Sequence, residues 1–63
     1  MSAPLTRADY VRGISATLWR ARKEIEAARE IHARMGAPAI EGLPELLETA
    51  QRAIVVAEAQ ARA

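Results

Sequence analysis

Along VRGISATLWRARKEIEAAREIHARM, residues 11–35, the positions Val11, Ile14, Leu18, Ala21, Ile25, Ala28, His32 and Met35 recur at alternating steps of three and four. That is the seven-residue repeat which keeps one narrow stripe of a helix turned toward a partner helix. The spacing predicts a single long helix, helix A, with this stripe as its seam.

The flanks of the stretch set its ends. Thr6 is placed to cap the helix with Asp9 three residues on, a shortened capping box. Leu5 and Tyr10 then fall at the two positions of a hydrophobic staple. Gly36 follows Met35 as a left-handed cap, and Pro38 forbids continuation. Helix A therefore runs from about Arg7 to Met35. Gly13 costs about 1 kcal/mol inside it relative to Ala. It either permits a close approach by a second chain or marks a break, with Ser15 restarting the helix.

Residues 36–42 have the length of a connection between antiparallel helices, and Ile40 is placed to plug the end of a bundle. Pro44 suits the first position of a second helix, with Glu45 and Glu48 in a first turn that favours acids. Helix B runs from about Leu43 to Arg62. Its stripe is Leu43, Leu47, Ala50, Ile54, Ala57 and Ala61, widened by Leu46, Ala53 and Val56. Such a stripe is broad enough for two neighbours.

The lengths then decide the assembly. Helix A is roughly 43 Å long and helix B roughly 29 Å. A hairpin would leave Val11 and Ile14 without cover from their own chain, and both stripes exceed what one helix–helix contact buries. The expected fold is an all-α, two-helix antiparallel hairpin, one domain over residues 1–63, dimerising into a four-helix bundle. Its expected dimer seam is Val11, Ile14, Leu18, Ala21, Ile25, Ala28, Leu47 and Ile54, with Ala21 and Ala28 allowing close approach.

Composition agrees. The 63 residues hold no Cys and no Phe, with one Trp and one Tyr. Alanine-rich chains suit helices and are poor in strand formers. A chain this short buries only about 60% of its unfolded surface, and disulfide or metal staples are missing here. That leaves idealised helix packing or self-association as the source of stability, and self-association is the favoured one. No apolar run approaches the roughly 18 residues of a membrane span, residues 1–8 lack the apolar core of a signal peptide, and the absence of Cys fits a reducing cytoplasm.

The net charge of +1 is too small to imply nucleic acid or membrane as a partner. Its distribution is uneven. Arg7, Arg12, Arg20, Arg22 and Lys23 crowd the front, whereas Glu24, Glu26, Glu30, Glu41, Glu45 and Glu48 dominate the middle. That order suits antiparallel self-pairing or a polar partner, and equally a solvated surface. Glu30–Arg34, Arg22–Glu26 and Arg20–Glu24 have the spacing of weak helix-surface pairs.

No catalytic set can be assembled, and no cofactor or metal is expected. His32, the lone histidine, stands without a second His or a Cys beside it. It reads as a seam-edge residue, with metal ligand or general base as the sharper alternatives. No glycine-rich phosphate loop exists. Arg12, Ala16, Trp19 and Lys23 do stack on one stripe, with Arg20 and Arg22 beside them. A Trp framed by bases is the composition of a protein-binding hot spot. It could also stack on a base beside a phosphate, or pack on helix B with Lys23 over its ring.

Asp9-Tyr10-Val11-Arg12, followed by Ala16, Leu18, Arg20, Ala21, Arg22 and Ile25, resembles the N-terminal docking segments of modular polyketide synthases. The resemblance covers residues 7–30, and helix B has no counterpart in it. It implies a dimeric parallel coiled coil that receives the acidic tail of a preceding polypeptide. Arg12, Arg20, Arg22 and Lys23 would select that tail.

The expected function is therefore a small non-catalytic protein–protein interaction module acting as a homodimer, with Arg12, Trp19, Arg20, Arg22 and Lys23 facing an unidentified protein. It could be a docking or adaptor element, or a regulator or inhibitor such as a phage protein that occludes a host factor. The competing reading is a nucleotide- or nucleic-acid-binding oligomer using Tyr10, Arg12, Arg20 and Lys23.

Overall fold

A computed structural model describes residues 3–63. Met1 and Ser2, part of the stretch read against a signal peptide, lie outside the described residues. Two helices make up the fold: α1, Arg7–Met35, and α2, Leu43–Arg62. They run antiparallel, since Arg22 pairs with Glu58 and Arg29 with Gln51 while His32 meets the loop at Ile40.

The start of α1 forms as its residues dictate. The Thr6 hydroxyl accepts from the Asp9 N–H at 3.2 Å, and the Asp9 carboxylate accepts from the Thr6 N–H at 2.9 Å. This reciprocal box satisfies two backbone donors that the first turn would otherwise leave open. The staple is looser, with Leu5 62% and Tyr10 58% exposed.

Gly13 does not break the helix. α1 is continuous through it, and the Thr17 hydroxyl donates to the Gly13 carbonyl at 2.9 Å. A β-carbon at Gly13 would meet nothing in the chain within 4 Å.

The turn between the helices departs from expectation in two places. Gly36 has the positive φ that favours glycine, 72°, but its ψ of −151° is extended, so α1 does not end in a left-handed helical cap. The left-handed residue is Gly42 instead, at φ 80° and ψ −12°, immediately before α2. It has no side chain with which to cap. Pro44, second in the helix rather than first, has no N–H to satisfy, and Leu46 N–H reaches the Gly42 carbonyl at 3.2 Å. Only Glu45 lies in the first turn; Glu48 is a turn further on and pairs with Arg52.

The stripes face each other within one chain. Val11, Leu18, Ala21, Ile25, Ala28 and His32 of α1 are half-buried, as are Leu43, Leu47, Ala50, Ile54, Ala57 and Ala61 of α2. Ile14 and Met35 depart from the stripe, at 50% and 48% exposed. Ile14 lies beside the last turn of α2, with Gln60 and Ala61, where its own chain offers little cover, and Ser15 is half-buried there. Val11 has partial cover after all, in a cleft it shares with Ile14, Gln60 and Ala61.

No apolar residue among those described is buried. The molecule measures 56 × 24 × 11 Å, and its radius of gyration is 16.0 Å. A compact chain of this length would have a radius near ~11 Å, and 11 Å is one helix diameter. The hairpin is a single layer with two open broad faces.

Candidate functional site

Helix phase assigns residues to those faces, and the observed pairs confirm the assignment. On one face Arg22, Glu26 and Arg29 of α1 lie beside Gln51, Glu58 and Arg62 of α2. Glu58 is the only buried residue among those described, at 6% exposed. Arg22 Nε stands 3.6 Å from Glu58 Oε1, and Arg62 Nη2 stands 3.4 Å from Oε2. The first of these is an ion pair beyond hydrogen-bond reach, which leaves Arg22 Nε and Glu58 Oε1 without hydrogen-bond partners. Gln51 bridges the next turn, accepting from Arg29 and donating to Glu26 at 3.5 Å.

Trp19 lies on this charged face and is 50% exposed. Lys23 Nζ sits 5.6 Å from its ring centroid and 3.5 Å from a Glu26 oxygen. A cation over an indole face stabilises by about 0.5–1 kcal/mol at an exposed site. The Lys23 cover and the exposed ring are both present. Val55 of α2 shares the face at 50% exposed, beside an open hollow lined by Glu48, Gln51, Arg52 and Val56. The sequence reading missed Val55, because it names the helix B stripe by heptad spacing and Val55 falls off it.

The five expected partner-binding residues do not all stand together. Arg12 is exposed but tied to Asp9, and Arg20 is exposed with no ion pair among the described residues. Arg22 turns inward to Glu58, its side chain only 30% exposed, instead of pairing with Glu26. Lys23 takes Glu26 in its place, and Glu30–Arg34 forms at 4.0 Å. The expected Arg20–Glu24 pair is not among those formed.

The Asp9 carboxyl is held below its ordinary value of 3.8, chiefly by the Thr6 backbone N–H, then by the Thr6 hydroxyl and Arg12. His32 has a structural part: its Nε2 accepts the Ile40 N–H at 3.0 Å, which ties the loop to α1. The Ile40 side chain, expected as a plug, is 52% exposed in the hairpin. Among the described residues no group of three or more His, Cys, Asp or Glu could hold a metal ion, and no helix is long and apolar enough to cross a membrane.

The opposite face is nearly free of charge. Tyr10, Ile14, Thr17, Ala21, Ala28, Ile31 and Met35 of α1 fall there with Leu46, Ala50, Ala53 and Ala57 of α2, and the ionic residues among them are Glu24 and, at the end beside Tyr10 and Ile14, Arg7. Leu46 is 68% and Ile31 66% exposed. Tyr10 thus sits across the helix from Arg12 and Lys23.

Comparison with known protein families, curated proteins and solved structures finds no match to this chain.

Proposed function

We propose that this protein is a small non-catalytic interaction module that self-associates and presents Trp19 to a protein partner. One observation carries the reading: Trp19 is half-exposed on a face where Arg22, Lys23 and Arg62 are already paired with acids. Around it Arg12, Arg20 and Lys23 supply a polar rim, and Val55 a second apolar contact. An aromatic anchor inside such a rim is the composition of a binding hot spot. The pairing of Arg12, Arg22, Lys23, Arg52 and Arg62 with acids leaves little positive field for nucleic acid. A docking element of the kind the polyketide-synthase likeness implies and a regulator that covers a partner's surface both use this arrangement. A cysteine-free chain is suited to a reducing cytoplasm.

The test records Trp19 fluorescence on a sample whose mass is known from light scattering. The expected result is a red-shifted emission, quenched by acrylamide, at concentrations where the chain is self-associated. A blue-shifted, protected Trp19 in the assembly removes the partner surface. Quenching by added oligonucleotide that disappears as salt rises would replace this reading with the phosphate-binding one.

A further inference from the structure

We infer that the apolar broad face, the side carrying Ala21, Ala28, Ala53 and Leu46, is where a second copy of this chain packs. The inference deepens the self-association proposed above and rests on it.

The area argues for an occupant of this size. One chain exposes 5252 Å². A folded monomer of 6.9 kDa exposes roughly 4,000 Å² by the scaling of accessible surface with mass. The excess is about 1,250 Å² per chain, or about 2,500 Å² for two, within the range of obligate homodimer interfaces. A domain needs two packed layers around a core. This hairpin is one layer, 11 Å thick, with no buried apolar residue among those described.

The chemistry chooses the face. Stacking two copies by the charged face would take Arg22, Arg29, Glu58 and Arg62 of both chains out of water, a desolvation cost that their pairing does not fully offset. Stacking by the apolar face confines that cost to Glu24 and to Arg7 at the end of the face. It covers Ile31, Leu46, Ile14 and Tyr10, which are 66%, 68%, 50% and 58% exposed in the hairpin. Small residues occupy the waist between these large ones, Ala21 and Ala28 on one helix and Ala50, Ala53 and Ala57 on the other. A facing pair of helices can approach closely along that waist. Trp19 and Val55 stay outside, on the face left for a partner.

The experiment uses the full chain, which has no cysteine. Light scattering should give twice 6.9 kDa for the unaltered protein. Leu46→Glu combined with Ala53→Glu should weaken dimerisation by at least about 100-fold, since each copy of a dimer would bury two unpaired charges, whereas Val55→Glu should leave it within about threefold. Because the double variant could unfold, single cysteines at the two exposed sites give an independent reading. Ala53→Cys should react with a maleimide at least about tenfold more slowly than Val55→Cys in the dimer, because only the former is covered. Equal reactivity in a sample of dimer mass overturns this face and leaves self-association standing. A monomeric mass for the unaltered chain overturns both.

Discussion

On one broad face Arg22, Glu26 and Arg29 meet Glu58 and Gln51 across the hairpin; on the other, Ala21 and Ala28 lie beside Ala50 and Ala57. The first set is directional. A carboxylate seated between two guanidiniums has one satisfactory register, so these groups fix which turn of α2 lies beside which turn of α1. The second set has no direction and little depth, because alanine contributes a single methyl. The charged face therefore carries the contacts that tie the two helices of one chain together, whereas the apolar face leaves Ile31 and Leu46 two-thirds exposed. One helix pair thus keeps its directional contacts on one side and its exposed apolar surface largely on the other.

Three substitutions or conditions probe this contrast, beginning with the largest effect. Glu58→Gln removes the buried charge that both Arg22 and Arg62 face. Its expected cost is about 1–2 kcal/mol, from losing the Arg22 ion pair and weakening the charge-assisted bond to Arg62, measured by chemical denaturation at fixed protein concentration. A cost near zero would mean the register is set by the apolar seam and not by the charged face.

Gly13→Ala should act in the other direction. The added methyl meets nothing within 4 Å in the hairpin, and alanine in a helix interior is favoured over glycine by about 0.5–1 kcal/mol. A rise of that size in thermal melts followed by circular dichroism is expected. A fall would show that another chain approaches α1 at Gly13.

The smallest effect is local to the start of α1. The Asp9 carboxyl lies below its ordinary 3.8 because the charged form accepts from the Thr6 N–H and hydroxyl and from Arg12. A depressed folded value means that the contribution is complete above 3.8 and is lost as the pH falls through the folded value. The Thr6 amide resonance should titrate with a midpoint below 3.8. A midpoint at or above 3.8 would show that the capping box does not persist in solution.

Much of the architecture is legible in the chain. Thr6 with Asp9, the stripe from Val11 to His32, the break at residues 36–42 and the Pro44 start each follow from local stereochemistry or from the period of a helix. These rules act over a few residues, and the elements they define, Arg7–Met35 and Leu43–Arg62, match the structure. The candidate site is less legible for the same reason. Heptad counting put Ile14 in a seam between two chains, and within one hairpin it is half-exposed beside the last turn of α2. Local spacing offered Glu26 to Arg22, and the nearer element in three dimensions offered Glu58. No rule of spacing points His32 at the Ile40 N–H, because that contact depends on where the loop returns.

By itself, then, the sequence determined two helices, their ends, their antiparallel connection and the stripe along which they meet, because each depends on interactions within a turn or two of chain. Only the tertiary structure decided that Glu58 is the buried residue, that Arg22 turns inward and Trp19 does not, and that Tyr10, Ile14, Ile31, Met35 and Leu46 share a face that Trp19 and Val55 do not. Those outcomes depend on how the two helices are rotated and staggered against each other. Small differences in packing and charge pairing across the whole interface set that relation.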